Sequence, residues 1–523
     1  MKPRLSALAG LITALLAAPA LAGDTLLGEG RRLYRDGLRA DGTPLEGWRP
    51  GGGALRGRDL ACVQCHRPSG MGTVEGVSIV PPITGATLFA PGRQPTGRQP
   101  RRAAGMTLED HAFRIRPAYD TPRLARALRD GTGAGGAPFD ALMPRYTLSD
   151  REVDALTAYL RSLAATPAPG VDDTTLHLAT VLAPDTEPRQ QRAMLDVLRH
   201  CVAELGPRPG KGRRSWQLHT WQLEGPPASW PAQLDAHMRR QPAFALVAGI
   251  ARDWAPMHEF CEAEGLPCLF PNTDAAGPAP SSSIYLWPGV ALEGRVMARH
   301  LEGRPRLPRR LVQVFAADDI GRHGAAALAA ALPDSAQIHI DPASPLPPLA
   351  EGDVLALWLP PAALRSFIAR QPALPVDAEI LVSGTLAELD RAPDATALSA
   401  LSSSNLRVIY PFDEAAPRLA RLVFNLGGWM SSHGLSLARD TERVQGNTWS
   451  ACAVTARALY TLPSPPTREA LLERVEDAYA GAVSTSFPRF TLGPGQRYGS
   501  KGAYVMKVGA NGRLEADGDW IVP

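Results

Sequence analysis

Lysine is scarce in this 523-residue sequence, which has 4 lysines against 51 arginines. The arginines are spread along the chain, and the formal net charge is only +3. Nucleic-acid binding generally needs a basic field concentrated on one surface. The sequence therefore does not predict a nucleic-acid partner.

Long apolar runs are missing after residue 22. A membrane-spanning helix needs about 18 or more consecutive apolar residues, so we expect no membrane span in the mature chain. Residues 1–22 have the pattern of a cleaved secretory signal, with Lys2 and Arg4 before an apolar core and Ala20-Leu21-Ala22 as the cleavage site. The sequence therefore predicts export to the periplasm, where disulfides form.

The common catalytic motifs are also missing. The chain contains no Gly-x-Ser-x-Gly, no His-Glu-x-x-His and no P-loop. We therefore predict that the protein is not by itself an enzyme.

The sequence does contain one C-x-x-C-H motif, formed by Cys62, Cys65 and His66. In this pattern two thiols form thioethers to a c-type haem, and the histidine takes an axial position on the iron. The alternatives are a disulfide or half of a zinc site. A zinc site needs further ligands at matching spacing, and no second C-x-x-C or H-x-x-x-H follows. We predict one covalently attached haem c.

The second axial ligand of such an iron is commonly methionine or histidine. Met143 precedes Pro144, so it lies in an extended loop, and a capping box from Ser149 to Glu152 starts a helix soon afterwards. A lone methionine more often packs in a core, but this setting favours ligation, and we predict that Met143 is the partner of His66. Three other candidates lie too near His66 or at a helix start: Met71, Met106 and His111.

Residues 24–165 resemble the class I cytochromes c. The resemblance is carried by a glycine- and aromatic-containing first helix, the C-x-x-C-H motif, the Met-Pro loop and a last helix ending at Leu163. It implies an all-α domain whose terminal helices cross beside the haem, and a function in electron transfer.

A Pro/Gly-rich linker at residues 166–174 precedes a region of different character, residues 175–523. There, apolar strand-like runs alternate with amphipathic helical stretches, as in 176–182 followed by 192–205. This alternation predicts a doubly wound α/β domain in two lobes.

The same region resembles the type I periplasmic binding proteins, such as the substrate-binding proteins of branched-chain amino acid transporters. The resemblance is carried by residues 245–249, 254–256, 265–270, 312–315, 318–321 and 493–498. Amino-acid binders of that family hold the ligand carboxylate with small hydroxyl residues after a glycine-rich strand end. This chain has Ile-Ala-Arg-Asp-Trp at 250–254 instead, so the sequence does not predict an amino-acid ligand.

A ligand cleft in such a domain lies at the carboxyl ends of the strands. Polar residues of the strand-to-helix loops are the candidates for lining it, although such residues also serve as caps and turns. We predict six: Asp185, Arg252, Thr273, Asp274, Asp318 and Thr385.

Four further cysteines lie in this second region. Cys261 and Cys268 are close in sequence, between a helix end and a strand start, and we predict a disulfide between them. Cys201 and Cys452 either pair or stay buried as small apolar residues.

The sequence thus predicts a multidomain protein, with an all-α class I cytochrome c domain followed by an α/β two-lobed type I periplasmic binding protein-like domain. Our first hypothesis is electron transfer to a periplasmic redox partner protein, with the second domain binding a small ligand or that partner. Two alternatives stay open. One is a haem-coupled solute sensor, and the other is the cytochrome subunit of a periplasmic quinoprotein dehydrogenase.

Overall fold

The computed structural model describes residues 18–75, 78–95, 113–207, 213–317, 319–370, 379–389, 398, 405–477, 486–509 and 513–523. The chain forms two compact units. The first comprises residues 1–168 and 462–473, and the second comprises residues 169–461 and 474–523. The segment 462–473, which the sequence reasoning assigned to the second domain, therefore lies in the first unit.

The predicted N-terminal signal falls mostly outside this description, because residues 1–17 are not among the described residues. In the part of the chain that the structure does describe, no helix has the length and apolarity to cross a membrane.

Two helices, α1 (Ala18–Asp36) and α5 (Asp150–Ser162), pack together in the first unit. A Cβ on Gly30 would lie 2.0 Å from the carbonyl oxygen of Ala155, so only glycine permits this close approach. The Tyr34 and Tyr159 rings lie 5.2 Å apart, measured between their centroids. Helix α5 begins with the predicted capping box, in which Ser149 and Glu152 bond each other's backbone N–H.

The rest of the first unit is built from short elements. Its helices are a 3-10 turn at Gly57–Leu60, α2 (Val63–His66), α3 (Gly85–Leu88) and α4 (Thr121–Asp130). A three-stranded antiparallel sheet joins β1 (Glu46–Arg49), β2 (Gly53–Arg56) and β7 (Arg145–Tyr146). Two hairpins pair β3 (Thr73–Glu75) with β4 (Ser78–Val80) and β5 (Gly92–Pro95) with β6 (Phe113–Arg116).

The second unit has the predicted α/β class, with two sheets. The first sheet is wholly parallel, in the order β12-β11-β10-β8-β9. Its strands are β8 (Thr175–Leu182), β9 (Ser215–Gln222), β10 (Ala245–Val247), β11 (Cys268–Leu269) and β12 (Ser283–Ile284). Both faces of β10 are buried, as expected for a parallel strand covered by helices on both sides.

The second sheet has seven strands in the order β14-β13-β15-β16-β17-β18-β19, of which the first five are parallel and the last two antiparallel. Its strands are β13 (Arg310–Val314), β14 (Ala336–Ile340), β15 (Val354–Leu357), β16 (Glu379–Ser383), β17 (Leu406–Tyr410), β18 (Tyr504–Val508) and β19 (Leu514–Ala516).

Helices connect these strands. They are α6 (Pro188–Leu205), α7 (Trp230–Arg240), α8 (Ala255–Ala263), α9 (Val290–Glu302), α10 (Gly321–Ala331), α11 (Pro361–Arg370), α12 (Ala415–Ser432) and α13 (Glu442–Tyr460). A 3-10 turn at Pro227–Ser229 precedes α7. Helix α14 (Arg468–Asp477) begins within the segment 462–473.

Strand order locates the ligand-binding edge of each sheet. In the first sheet β9 lies on one side of β8 and β10 lies on the other. In the second sheet β14 and β15 flank β13 in the same way. The direction of winding therefore reverses between β8 and β10 and between β13 and β15. Loops at the carboxyl ends of strands diverge at such a switch point and leave a crevice.

Both disulfides of the structure lie in the second unit. Cys261 is bonded to Cys268, as the sequence predicts. Cys201 on α6 is bonded to Cys452 on α13, which settles the question that the sequence left open.

Candidate functional sites

The C-x-x-C-H motif forms the short helix α2. The backbone N–H of His66 donates to the Cys62 carbonyl at 2.8 Å, so these two residues lie one helical turn apart, on the same face. The chain then turns sharply at Arg67, whose φ is +64°. The spacing of one turn therefore presents the imidazole and the first thiol from the same face of α2.

His66 is buried, with 6% of its surface exposed, and its Nδ1 lies 3.0 Å from the Pro81 carbonyl oxygen. Burial lowers the pKa of His66 to about 4, and the Pro81 carbonyl only partly opposes the shift. The ring is therefore neutral. Because a carbonyl only accepts hydrogen bonds, the proton is on Nδ1, and Nε2 presents its lone pair to a metal.

The two motif cysteines are not in a disulfide. Burial raises the pKa of Cys62 to about 12, although a hydrogen bond from Tyr146 acts in the opposite direction. Burial therefore disfavours a thiolate at this position.

Met143 lies in a loop that Arg145 fixes. The buried Arg145 guanidinium donates to the carbonyl oxygens of Met143 at 2.6 Å and Phe139 at 3.5 Å. It also occupies the space beside Gly131, where a Cβ would lie 1.9 Å from it. The Met143 side chain and Cys62 both pack against the apolar core of the first unit.

Of the three other candidates for the second axial ligand, the structure describes only Met71. Met71 lies just beyond the motif, where its N–H donates to the Ser69 hydroxyl at 3.1 Å. Met106 and His111 lie outside the described residues.

A cavity of about 250 Å³ lies in the second unit. It is bordered by the loops that follow β8 and β10 in the first sheet and β15 and β16 in the second, so it lies at the carboxyl ends of these strands and includes the switch point between β8 and β10. Five of the six predicted cleft residues line it: Asp185, Arg252, Thr273, Asp274 and Thr385. The sixth, Asp318, lies outside the described residues.

Asp185 holds the first of these loops to its neighbour. Its Oδ2 accepts from the backbone N–H groups of Arg252 at 3.0 Å and Asp253 at 3.4 Å. Its Oδ1 is buried and has no hydrogen-bond partner. Burial raises the pKa of Asp185, which is the usual consequence of removing a carboxylate from water.

The two arginines of the cavity already face carboxylates. Arg252 lies 3.4 Å from Asp319, and Arg443 lies 3.5 Å from Asp274. The Arg443 guanidinium also stands 4.8 Å from the centroid of the Phe412 ring.

Sequence reasoning missed several lining residues, among them Trp287, Arg443, Asn447 and Phe487. Arg443 and Asn447 lie on α13, which follows the last parallel strand of the second sheet, and a search confined to strand-to-helix loops passes over them. Asn272, which directly precedes the predicted Thr273, also lines the cavity. A parallel β-bridge pairs Asn272 with Ile250, another lining residue.

Comparison with known proteins bears on both units. Residues 55–164 match the family model of cytochrome c. This segment is a cytochrome c domain. No curated protein matches the chain.

Among solved structures, the chain is similar to several transport proteins at low identity. One is an ABC transporter substrate binding protein of Aeropyrum pernix, with 13% identity, a TM-score of 0.48, and coverage of 67% of this chain and 96% of that one. Another is a leucine binding protein of Thermotoga maritima, with 12% identity, a TM-score of 0.45, and coverage of 66% and 99%. A putative branched-chain amino acid ABC transporter from Rhodospirillum rubrum has 15% identity, a TM-score of 0.42, and coverage of 66% and 99%.

The cytochrome c family implies a covalently bound haem c, and the residues of this cytochrome c domain fit that group. Neither motif cysteine is committed to a disulfide. The hydrogen bond from Nδ1 of His66 to Pro81 leaves Nε2 as the ligand atom. Met143 borders the same core as Cys62 and is held there by Arg145. In the described residues, no cluster of three or more His, Cys, Asp or Glu side chains forms a separate metal site.

Proposed function

We propose that the protein transfers electrons in the periplasm through one haem held by Cys62, Cys65, His66 and Met143. The observation that carries the proposal is the hydrogen bond from His66 Nδ1 to Pro81 within a cytochrome c domain. That bond fixes the tautomer and the plane of the ring, as the carbonyl or carboxylate that accepts from the other ring nitrogen does for metal-bound histidines.

The chain's residues would serve this role by positioning and by excluding water. Cys62 and Cys65 would anchor the cofactor covalently, and the apolar core around Leu33, Leu156 and Leu160 would exclude water from it. The haem supplies the ferric/ferrous couple when bound. With His66 and Met143 both holding the iron, the haem would have no coordination position for a substrate, so we propose an electron carrier and not an enzyme.

The test is spectroscopic. Protein exported with a haem-attachment system should carry one covalent haem per chain in a denaturing gel and a pyridine haemochrome assay, and it should cycle reversibly with dithionite and ferricyanide. Cys62→Ala with Cys65→Ala should remove the covalent haem. A purified protein without covalent haem, or one that cannot be cycled, would overturn the proposal.

The cavity of the second unit favours a second role alongside electron transfer. Five predicted cleft residues line this cavity at the carboxyl ends of parallel strands, which is where α/β proteins bind small molecules. We propose that this unit is a receptor for a small ligand whose occupancy is linked to the haem state. By linkage, a ligand that shifts the potential must bind the two redox states with different affinities, so redox titration with and without ligand tests the coupling.

A further inference from the structure

Two hydrogen-bond acceptors among the lining residues of the cavity lack a partner. Asp185 Oδ1 and Asn272 Oδ1 are both buried and have no partner, and both residues line the cavity. Both atoms are acceptors. Among the described residues that line the cavity, no buried side-chain donor lacks a partner.

The loop at 250–252 contacts the segments that carry these two acceptors. The backbone of Arg252 donates to Asp185 through its N–H, and its carbonyl accepts from the Thr273 hydroxyl at 2.9 Å. Ile250 bridges both Leu182 and Asn272. The amide nitrogen of Asn272 is already engaged, with the Gly249 carbonyl at 3.4 Å and the Thr448 hydroxyl at 3.2 Å, so its oxygen is the atom left over.

Charge points in the same direction as hydrogen bonding. The lining has four carboxylates and two guanidiniums, and both guanidiniums already face a carboxylate. These lining residues are Asp185, Glu187, Asp274 and Glu388 on the acidic side, and Arg252 and Arg443 on the basic side. A ligand carboxylate would add to this excess of negative charge, whereas a cation would offset it.

The cavity also has apolar surface, which aromatic side chains provide. Trp287 and Phe487 line the cavity, with their ring centroids 5.9 Å apart. The Trp287 indole N–H is satisfied by the Thr273 carbonyl at 3.1 Å, so its ring offers a hydrophobic surface without an unmet donor. Aromatic faces also attract cations.

We propose that the cavity binds a primary amine with a compact apolar body and no carboxylate, with its ammonium group at Asp185 and Asn272. The inference rests on the receptor role proposed above. The two acceptors and the excess of acidic side chains suit an ammonium group, whereas an amino-acid site must also accommodate a carboxylate.

The experiment compares ligands that share one apolar body. Calorimetric titration of the full-length haem protein would use 2-phenylethylamine, 3-phenylpropanoate and phenylalanine, with isoamylamine and putrescine as smaller and doubly charged amines. We expect saturable binding of at least one amine, at least tenfold tighter than phenylalanine and the carboxylate. Tighter binding of phenylalanine or the carboxylate would overturn the amine assignment and leave the receptor role standing. Binding of none of the five would overturn the inference as well, while the haem assay reports separately on electron transfer.

Two variants locate the ammonium site. Asp185→Asn keeps an oxygen that accepts from the Arg252 N–H, and it should weaken amine binding at least tenfold while improving binding of 3-phenylpropanoate. This reversal of preference is a result that partial unfolding does not produce. Asp196→Asn removes the same charge from an exposed position on α6 and should leave both affinities within twofold. Equal effects of the two substitutions, or unchanged amine affinity in Asp185→Asn, would contradict the assignment.

Discussion

Ser69 and Glu473 are 404 positions apart in the chain and are hydrogen-bonded to each other within the first unit. The Glu473 carboxylate accepts from the Ser69 backbone N–H at 2.8 Å and from its hydroxyl at 2.5 Å. Both residues are buried, with 4% of Ser69 and 6% of Glu473 exposed. A distant segment of the chain thus supports the loop that follows the haem-binding motif.

We expect Glu473→Ala to destabilise the first unit by about 2–3 kcal/mol, because the substitution leaves a buried N–H and hydroxyl without their acceptor. Denaturant unfolding followed by haem absorbance measures this, since the signal comes from the cytochrome c domain.

Glu469→Ala provides the matched control. Glu469 lies on the same helix, is half exposed and is 3.8 Å from Arg35. An exposed pair of this kind contributes about 0–1 kcal/mol. Equal losses in the two variants would contradict the role assigned to the Ser69–Glu473 pair.

Substitution of Met143 tests the second axial ligand. Met143→Ala should lower the haem midpoint potential, because the thioether raises it, and it should open the iron to carbon monoxide. Met71→Ala should change neither property. The assignment of Met143 fails if its variant still excludes carbon monoxide, or if the Met71 variant shows these changes instead.

Two glycines of helix α1 offer a test of the α1–α5 packing. Gly30→Ala should cost about 1–3 kcal/mol, because its new Cβ would meet the Ala155 carbonyl at 2.0 Å. Gly28 has no atom within 4 Å of a new Cβ. Gly28→Ala should therefore be neutral or stabilise by up to about 1 kcal/mol through helix propensity. Thermal unfolding of the two variants provides the comparison, and a Gly30→Ala protein as stable as Gly28→Ala would refute the predicted clash.

The stability of the second unit should fall as pH rises through the neutral range because of Glu293. This fully buried side chain accepts hydrogen bonds from Ser383 and from the N–H and hydroxyl of Thr385. Burial raises the pKa of Glu293 from 4.5 to about 8, although those hydrogen bonds oppose the shift.

The sign follows from proton binding. Between about pH 4.5 and 8 the folded state keeps a proton that the unfolded chain has lost, so this contribution is complete below pH 4.5 and is lost as pH approaches 8. The slope from one group is at most about 1.4 kcal/mol per pH unit. Glu293→Gln should remove this pH dependence. The difference between the wild-type and variant free energies of unfolding, followed from pH 5 to 8, measures the contribution of Glu293. A difference that does not change with pH would exclude Glu293 as its source.

Local sequence determined the features that depend on neighbouring residues. The spacing of Cys62, Cys65 and His66, the capping box at Ser149 and the alternation of apolar strands with helices each specify their structure over a few residues. For the same reason, loop residues such as Asp185 and Arg252 were predictable, because a strand end carries its following loop to the edge of the sheet.

Tertiary structure alone decided the contacts between distant parts of the chain. It joined Cys201 to Cys452, placed Glu473 against Ser69 and brought Arg443 to Asp274. None of these pairs has a signal in its local sequence, since a cysteine, a glutamate or an arginine on a helix is compatible with many partners. Partner choice followed from how the helices and sheets pack as whole elements, which fixes the pairs of side chains that come within bonding distance.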